Sequence, residues 1–229
     1  HSGRESGITI DDSIAYGSLR FRNVHYLPAG GLKQGNLANL GYEYPTKSYS
    51  GAFNHAAGND CTTCHNPGTT NHSFTAQDTF EAPGGCGSTC HASAATAQAI
   101  RMSSHNLDYD GDGSTTESLH DEHATLAEAL IVAINASSTP SMCYSGAAYP
   151  YFFIDNGGST NGICDAADAN YGNRYQAWTA QLMKATHNYQ IFQKEHGAWA
   201  HNFDYMTQLL IDSIEDLGGA VGSYIRPTP

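Results

Sequence analysis

The most constraining feature of the chain is a pair of cysteine–histidine motifs lying close together. Cys61-Thr62-Thr63-Cys64-His65 has the C-x-x-C-H spacing at which two thiols add to the vinyl groups of one haem and the next residue ligates its iron. Cys86-Gly87-Ser88-Thr89-Cys90-His91 repeats this design with one more residue between the thiols. Two haems c are therefore expected, held by Cys61, Cys64, Cys86 and Cys90 with His65 and His91 on their irons. Two other uses of such thiols stay open, a redox dithiol and a zinc site. The first wants a strand–helix context that the Gly-rich flanks do not supply, and the second leaves two adjacent histidines unexplained. A stretch loaded in this way is organised around its cofactors rather than around its own apolar side chains.

Composition fits that picture. Hydrophobic residues make up only 40% of the 229 and charged residues 14%, with 24 Gly and 14 Tyr, which points to a loop-rich, mainly irregular plus α fold with few strands. The net charge of −12 excludes nucleic acid as a partner, and no window approaches the ~20 apolar residues of a membrane span. Cys143 and Cys164 have no histidine after them, and a disulfide is the simplest reading. It would close a loop worth roughly 3 kcal/mol in the chain-entropy account. Haem attachment and a disulfide together imply maturation outside the cytoplasm. The opening His1-Ser2-Gly3-Arg4 lacks a basic start and an apolar stretch, so we expect an exported, extracellular or periplasmic protein whose signal peptide has been removed.

Three regions follow. Residues 1–55 read as an irregular N-terminal layer or arm with β-like runs at Ile8-Thr9-Ile10 and Leu19-Arg20-Phe21-Arg22, lacking a core of its own and suited to contact between copies. Residues 56–107 are the dihaem-binding segment. Residues 108–229 form a small helical domain with a disulfide-closed loop. Helices are expected over about 92–104, 116–136, 174–194 and 203–217 from Ala content and apolar periodicity.

Each iron needs a sixth ligand, and ten histidines remain for two positions. His72 lies between the motifs and His55 six residues before the first, so short tethers favour both. His105 follows the Ala-rich segment, and His201 lies in a loop between two helical stretches. His123 shares a helical face with Leu119 and Leu126 and reads as a core residue, whereas His187 falls off its helix's apolar face and reads as solvated. Met102 is better suited to helix packing than to ligation. Separately, Asp108, Asp110 and Asp112 alternate ahead of Gly113, as in the first half of an EF-hand loop, and Glu117 or another acid would have to close a Ca2+ shell because position twelve is Leu119. The alternative is an Asp/Gly turn leading into a helix N-terminus.

The two motifs, Ile100-Arg101-Met102, the Asp-Tyr-Asp-Gly-Asp-Gly turn, Tyr149-Pro150-Tyr151-Phe152-Phe153, Trp178, Asn188-Tyr189-Gln190 and Gly197-Ala198-Trp199-Ala200-His201-Asn202 resemble exported multihaem c-type cytochromes of metal-reducing bacteria. The resemblance covers roughly residues 50 to 217. It implies bis-histidine, low-potential, closely stacked haems that pass electrons across the cell envelope, in some members within extracellular filaments. It also raises His201 and His72 above His55 and His105 as distal ligands. The chain departs from it in having two motifs where relatives commonly have four or more, and in Cys143 and Cys164. The expected function is electron transfer in extracellular electron transfer, with redox proteins or extracellular acceptors as partners, as a homo-oligomer or conductive filament. The alternative is a dihaem peroxidase- or reductase-like enzyme with one open iron.

Overall fold

In chain order the helices are Ala29–Gln34 (α1), Cys61–Cys64 (α2), Ala76–Glu81 (α3), Cys86–Thr89 (α4), Leu119–Ser137 (α5), Ala180–Lys194 (α6), Ala198–His201 (α7) and Phe203–Asp216 (α8). Strands Met142–Tyr144 (β1) and Phe152–Ile154 (β2) pair antiparallel, Met142 opposite Ile154 and Tyr144 opposite Phe152. The computed structural model describes residues 21, 23–25, 28–66, 68, 73–159 and 161–229. The run at Ile8-Thr9-Ile10 lies outside them, and so do Leu19, Arg20 and Arg22.

The three long helices start where their caps dictate. Ser118 accepts the Asp121 N–H, Thr179 the Leu182 N–H and Asn202 the Tyr205 N–H, each at 3.1 Å, satisfying an amide the helix itself cannot reach. The segment 174–179 is not helical as its periodicity implied. Tyr175 instead donates its N–H to the Phe152 carbonyl (2.9 Å) and Arg174 bridges Phe153, so the chain is spent extending the β-hairpin before α6 begins. The Ala-rich 92–104 stretch is also not a helix. It is a chain of turns, with the Ala97 N–H diverted to the Gln77 side chain (2.8 Å). A helix propensity of tenths of a kcal/mol per residue yields to such a tertiary hydrogen bond.

α5, α6 and α8 pack together around Leu126, Leu130, Ile134, Leu182, Ala185, Tyr189, Tyr205, Leu209 and Leu210. Phe21, Val24, Leu32 and Tyr49 join the same core, so the described part of the N-terminal region lies against its own chain's helices. Its irregular backbone needs partners for buried N–H and C=O groups, and amide side chains on the helices supply them. Asn188 takes the Tyr42 N–H (2.7 Å) and donates to the Tyr42 carbonyl (3.0 Å). Gln190 takes the Val24 N–H and Gln208 the Ser50 N–H, at 2.7 and 2.8 Å. Cys143 and Cys164 form a disulfide that ties β1 to the loop after β2. Among the described residues no helix is long and apolar enough to cross a membrane.

Candidate haem-binding site

Both motifs form single helical turns. In α2 the His65 N–H returns to the Cys61 carbonyl (2.8 Å), and in α4 the His91 N–H returns to the Cys86 carbonyl (2.8 Å). The extra residue of the second motif is absorbed within a wider turn, Cys90 sharing that same Cys86 carbonyl at 3.0 Å. First thiol and histidine thus keep the same backbone relation in both motifs. α3 sits beside both turns. Its Thr79 hydroxyl takes the Asn66 N–H (3.2 Å), and a Cβ on Gly87 would fall 2.7 Å from the Phe80 ring, so α4 packs on α3 only through glycine.

The four motif thiols are free, and three of them are exposed. Both attachment turns lie against α3, so the two motifs are neighbours in space.

Opposite each motif histidine stands a second imidazole. The His65 and His201 ring centres are 6.1 Å apart, and those of His91 and His55 are 6.2 Å apart. An iron bound by two facing imidazoles holds their centres about 6 Å apart, given metal–nitrogen bonds of about 2 Å. The four thiols and these two gaps fit two haems c. The first pair is also preset for ligation. His65 Nδ1 lies 2.7 Å from the Phe74 carbonyl, which is aimed there by a left-handed φ of 57°, rare for a bulky residue. His201 Nδ1 lies 2.8 Å from Oε1 of Glu195, a carboxylate only 3% exposed. With both Nδ1 atoms donating, each Nε2 is the nitrogen left free to bind a metal. Gly197 permits the contact, since a Cβ there would meet His201 Cε1 at 2.7 Å. In the second pair His55 Nδ1 accepts the Ala57 N–H (3.1 Å), a bond that has to give way if Nε2 is to ligate.

Three other described histidines, His105, His123 and His187, are used elsewhere. Both ring nitrogens of His105 are engaged, Nε2 by Asp204 (2.8 Å) and Nδ1 by Ser104 (2.9 Å), and its ring packs edge-on against Phe203. His72 lies outside the described residues. His123 is buried, stacked on Phe203, and burial pushes its pKa down to about 3, so it is a neutral core residue. His187 is not solvated, as its place on the helix implied. It bonds the Leu40 carbonyl (3.0 Å), and burial lowers its pKa. Met102 packs with Trp199 on the Tyr109–Leu119–Phe203 cluster.

The acidic turn also closes up. Ligand oxygens of Asp110, Asp112 and Glu117 lie within 4.8 Å of one another, as do those of Asp108, Asp110 and Glu122. Burial and the neighbouring acids push Asp110 up to about 6 and Glu117 up to about 7. Periodicity gave Glu122 no role beyond a helical turn. Phe74 and Glu195 likewise carry no local signal, because each matters only through a histidine placed beside it by the fold.

Over nearly its whole length the chain is homologous to multihaem c-type cytochromes. It is 30% identical to the C-type polyheme cytochrome OmcB of Geobacter sulfurreducens, over 94% of this chain and 30% of that protein. With the C-type polyheme cytochrome OmcC of the same species the identity is 29%, over 94% of this chain and 29% of the relative. The chain thus spans less than a third of the length of the curated relatives it matches. No protein-family model matches it, and no solved structure matches it significantly.

Proposed function

We propose that the chain is an electron carrier holding two haems c. One is attached by Cys61, Cys64 and His65 and capped by His201; the other is attached by Cys86, Cys90 and His91 and capped by His55. The observation that carries this reading is that each motif histidine faces a second imidazole across a gap of ligand–iron–ligand size, 6.1 Å in one case and 6.2 Å in the other. When bound, haem supplies one-electron chemistry at iron. The protein's part is to fix tautomers and to tune. Glu195 and the Phe74 carbonyl make the His201 and His65 imidazoles more basic, which favours the oxidised state. Two imidazoles per iron leave no position for a substrate, which favours a carrier over a peroxidase- or reductase-like dihaem enzyme. The partners that fit such a carrier are redox proteins, an extracellular acceptor or a second copy of this chain. The Cys143–Cys164 disulfide supports export to the periplasm or the cell exterior. Assembly into an oligomer or filament in which haems of successive copies meet is the form of this reading that the closeness of the two attachment turns, both against α3, favours.

Intact-mass measurement combined with electron paramagnetic resonance tests the core of this reading. Two covalent haems per chain, both low-spin, are expected; a stable high-spin signal from half of the haem would turn the assignment to the enzyme. Replacing Glu195→Gln is expected to raise the potential of one haem by about 60 mV, a tenfold change in a one-electron equilibrium, and to leave the other in place. Spectroelectrochemical titration reads both, and an unmoved pair of potentials would remove Glu195 from the account.

A further inference from the structure

We propose that the loop from Asp108 to Glu117 binds one hard divalent cation of the calcium class through Asp110, Asp112 and Glu117. Two independent features point there. The first is the convergence of the three carboxylates to within 4.8 Å, a span that oxygens bound at about 2.4 Å to one calcium ion can occupy. The second is that Asp110 is only 3% exposed while its Oδ2 has no hydrogen-bond partner, and a buried carboxylate oxygen without a partner is costly. Glu117 Oε1 is a second such buried atom.

The surrounding groups do not neutralise these charges. Arg101 is the nearby cation, and it is committed to Glu122 at 2.8 Å while donating to the Glu117 and Leu107 backbone carbonyls. Glu122 is further satisfied by the Tyr109 and Asp110 N–H groups at 2.8 and 3.0 Å. Asp108 shapes the loop instead of standing free, its two oxygens taking the Gly111 and Gly113 N–H groups at 2.6 and 2.8 Å. Among the described residues no Lys, Arg or His forms an ion pair with Asp110, Asp112 or Glu117. A bound cation supplies the missing charge and the missing partner together.

The site has structural reach. Tyr109, inside the loop, packs on Leu119 and Phe203, and its carbonyl takes the Ile225 N–H (3.1 Å). Phe203 opens α8 two residues after His201. A cation at the loop therefore stiffens the junction from which His201 is presented.

The test uses the full chain with its haems in place. After chelation and dialysis against micromolar to millimolar calcium, elemental analysis is expected to find one calcium per chain, and chelator is expected to lower the melting temperature. Asp112→Asn, at an exposed position, and Glu117→Gln should each weaken calcium binding at least tenfold and abolish the response to chelator. No bound calcium at millimolar concentration overturns the proposal, and this readout stands even if a variant fails to fold. Unchanged binding in folded Asp112→Asn and Glu117→Gln overturns it as well.

Discussion

Replacing His201→Ala is expected to convert half of the bound haem from low-spin to high-spin while the covalent load stays at two. His201 is the imidazole that faces His65, its ring centre 6.1 Å away, and Glu195 holds its Nδ1 at 2.8 Å so that Nε2 points free. Of the other candidates among the described residues, His105 has both nitrogens engaged by Asp204 and Ser104. His105→Ala is the control, and both haems should remain low-spin in it. Near-infrared magnetic circular dichroism separates bis-imidazole from other ligation. Two low-spin bis-histidine haems in His201→Ala would show that another histidine, with His72 the foremost alternative, caps the first haem.

The second large effect concerns stability. Asp212→Ala should destabilise the chain by about 3 kcal/mol, near the lower end for breaking a buried ion pair because Arg226 is partly exposed. The fully buried Asp212 carboxylate receives Arg226 Nε and Nη2 at 2.8 and 2.9 Å and the Tyr49 hydroxyl at 2.6 Å, with Lys47 at 3.9 Å. It thereby clamps the C-terminal tail and the N-terminal segment onto α8. Alanine leaves a guanidinium and a hydroxyl without their acceptor in a poorly solvated place. For a chain of this size the loss corresponds to a fall in melting temperature of roughly 6–12 °C. Asp212→Asn keeps an acceptor for Tyr49 and should cost about half as much. A drop under ~2 °C for the alanine variant, followed at constant haem load, would remove the clamp from the account.

Much of the helical part is legible in the sequence, for reasons that particular residues make plain. Leu119, Leu126, Leu130 and Ile134 keep helical register and Ser118 supplies a cap, so α5 is found from periodicity to within a few residues. α8 is found equally well. The Ala-rich 92–104 stretch misleads because its propensity is weak and the Gln77 side chain captures an amide that a helix would need. His187 misleads because the surface it faces is covered by Leu40, a residue remote in sequence. Asn188, Gln190 and Gln208 look misplaced on core-facing helices until they are seen to satisfy the irregular N-terminal backbone.

The sequence by itself determined the features that depend on neighbours along the chain: the thiol and histidine spacing of two attachment turns, the leftover cysteine pair, the alternating acids before Gly113 and the capped helices. Covalent attachment and loop winding act over a few residues, so a linear pattern suffices to specify them. Only the tertiary structure decided which imidazole stands across from which, bringing His201 to His65 and His55 to His91, and set Glu195 behind His201, Arg101 against Glu122 and Asp212 under Arg226. These are contacts through space, some between distant segments and some, such as Glu195 with His201, across a turn of a few residues. The places of Glu122, His201 and Asp212 follow from how α5, α7 and α8 pack, and no local spacing records them.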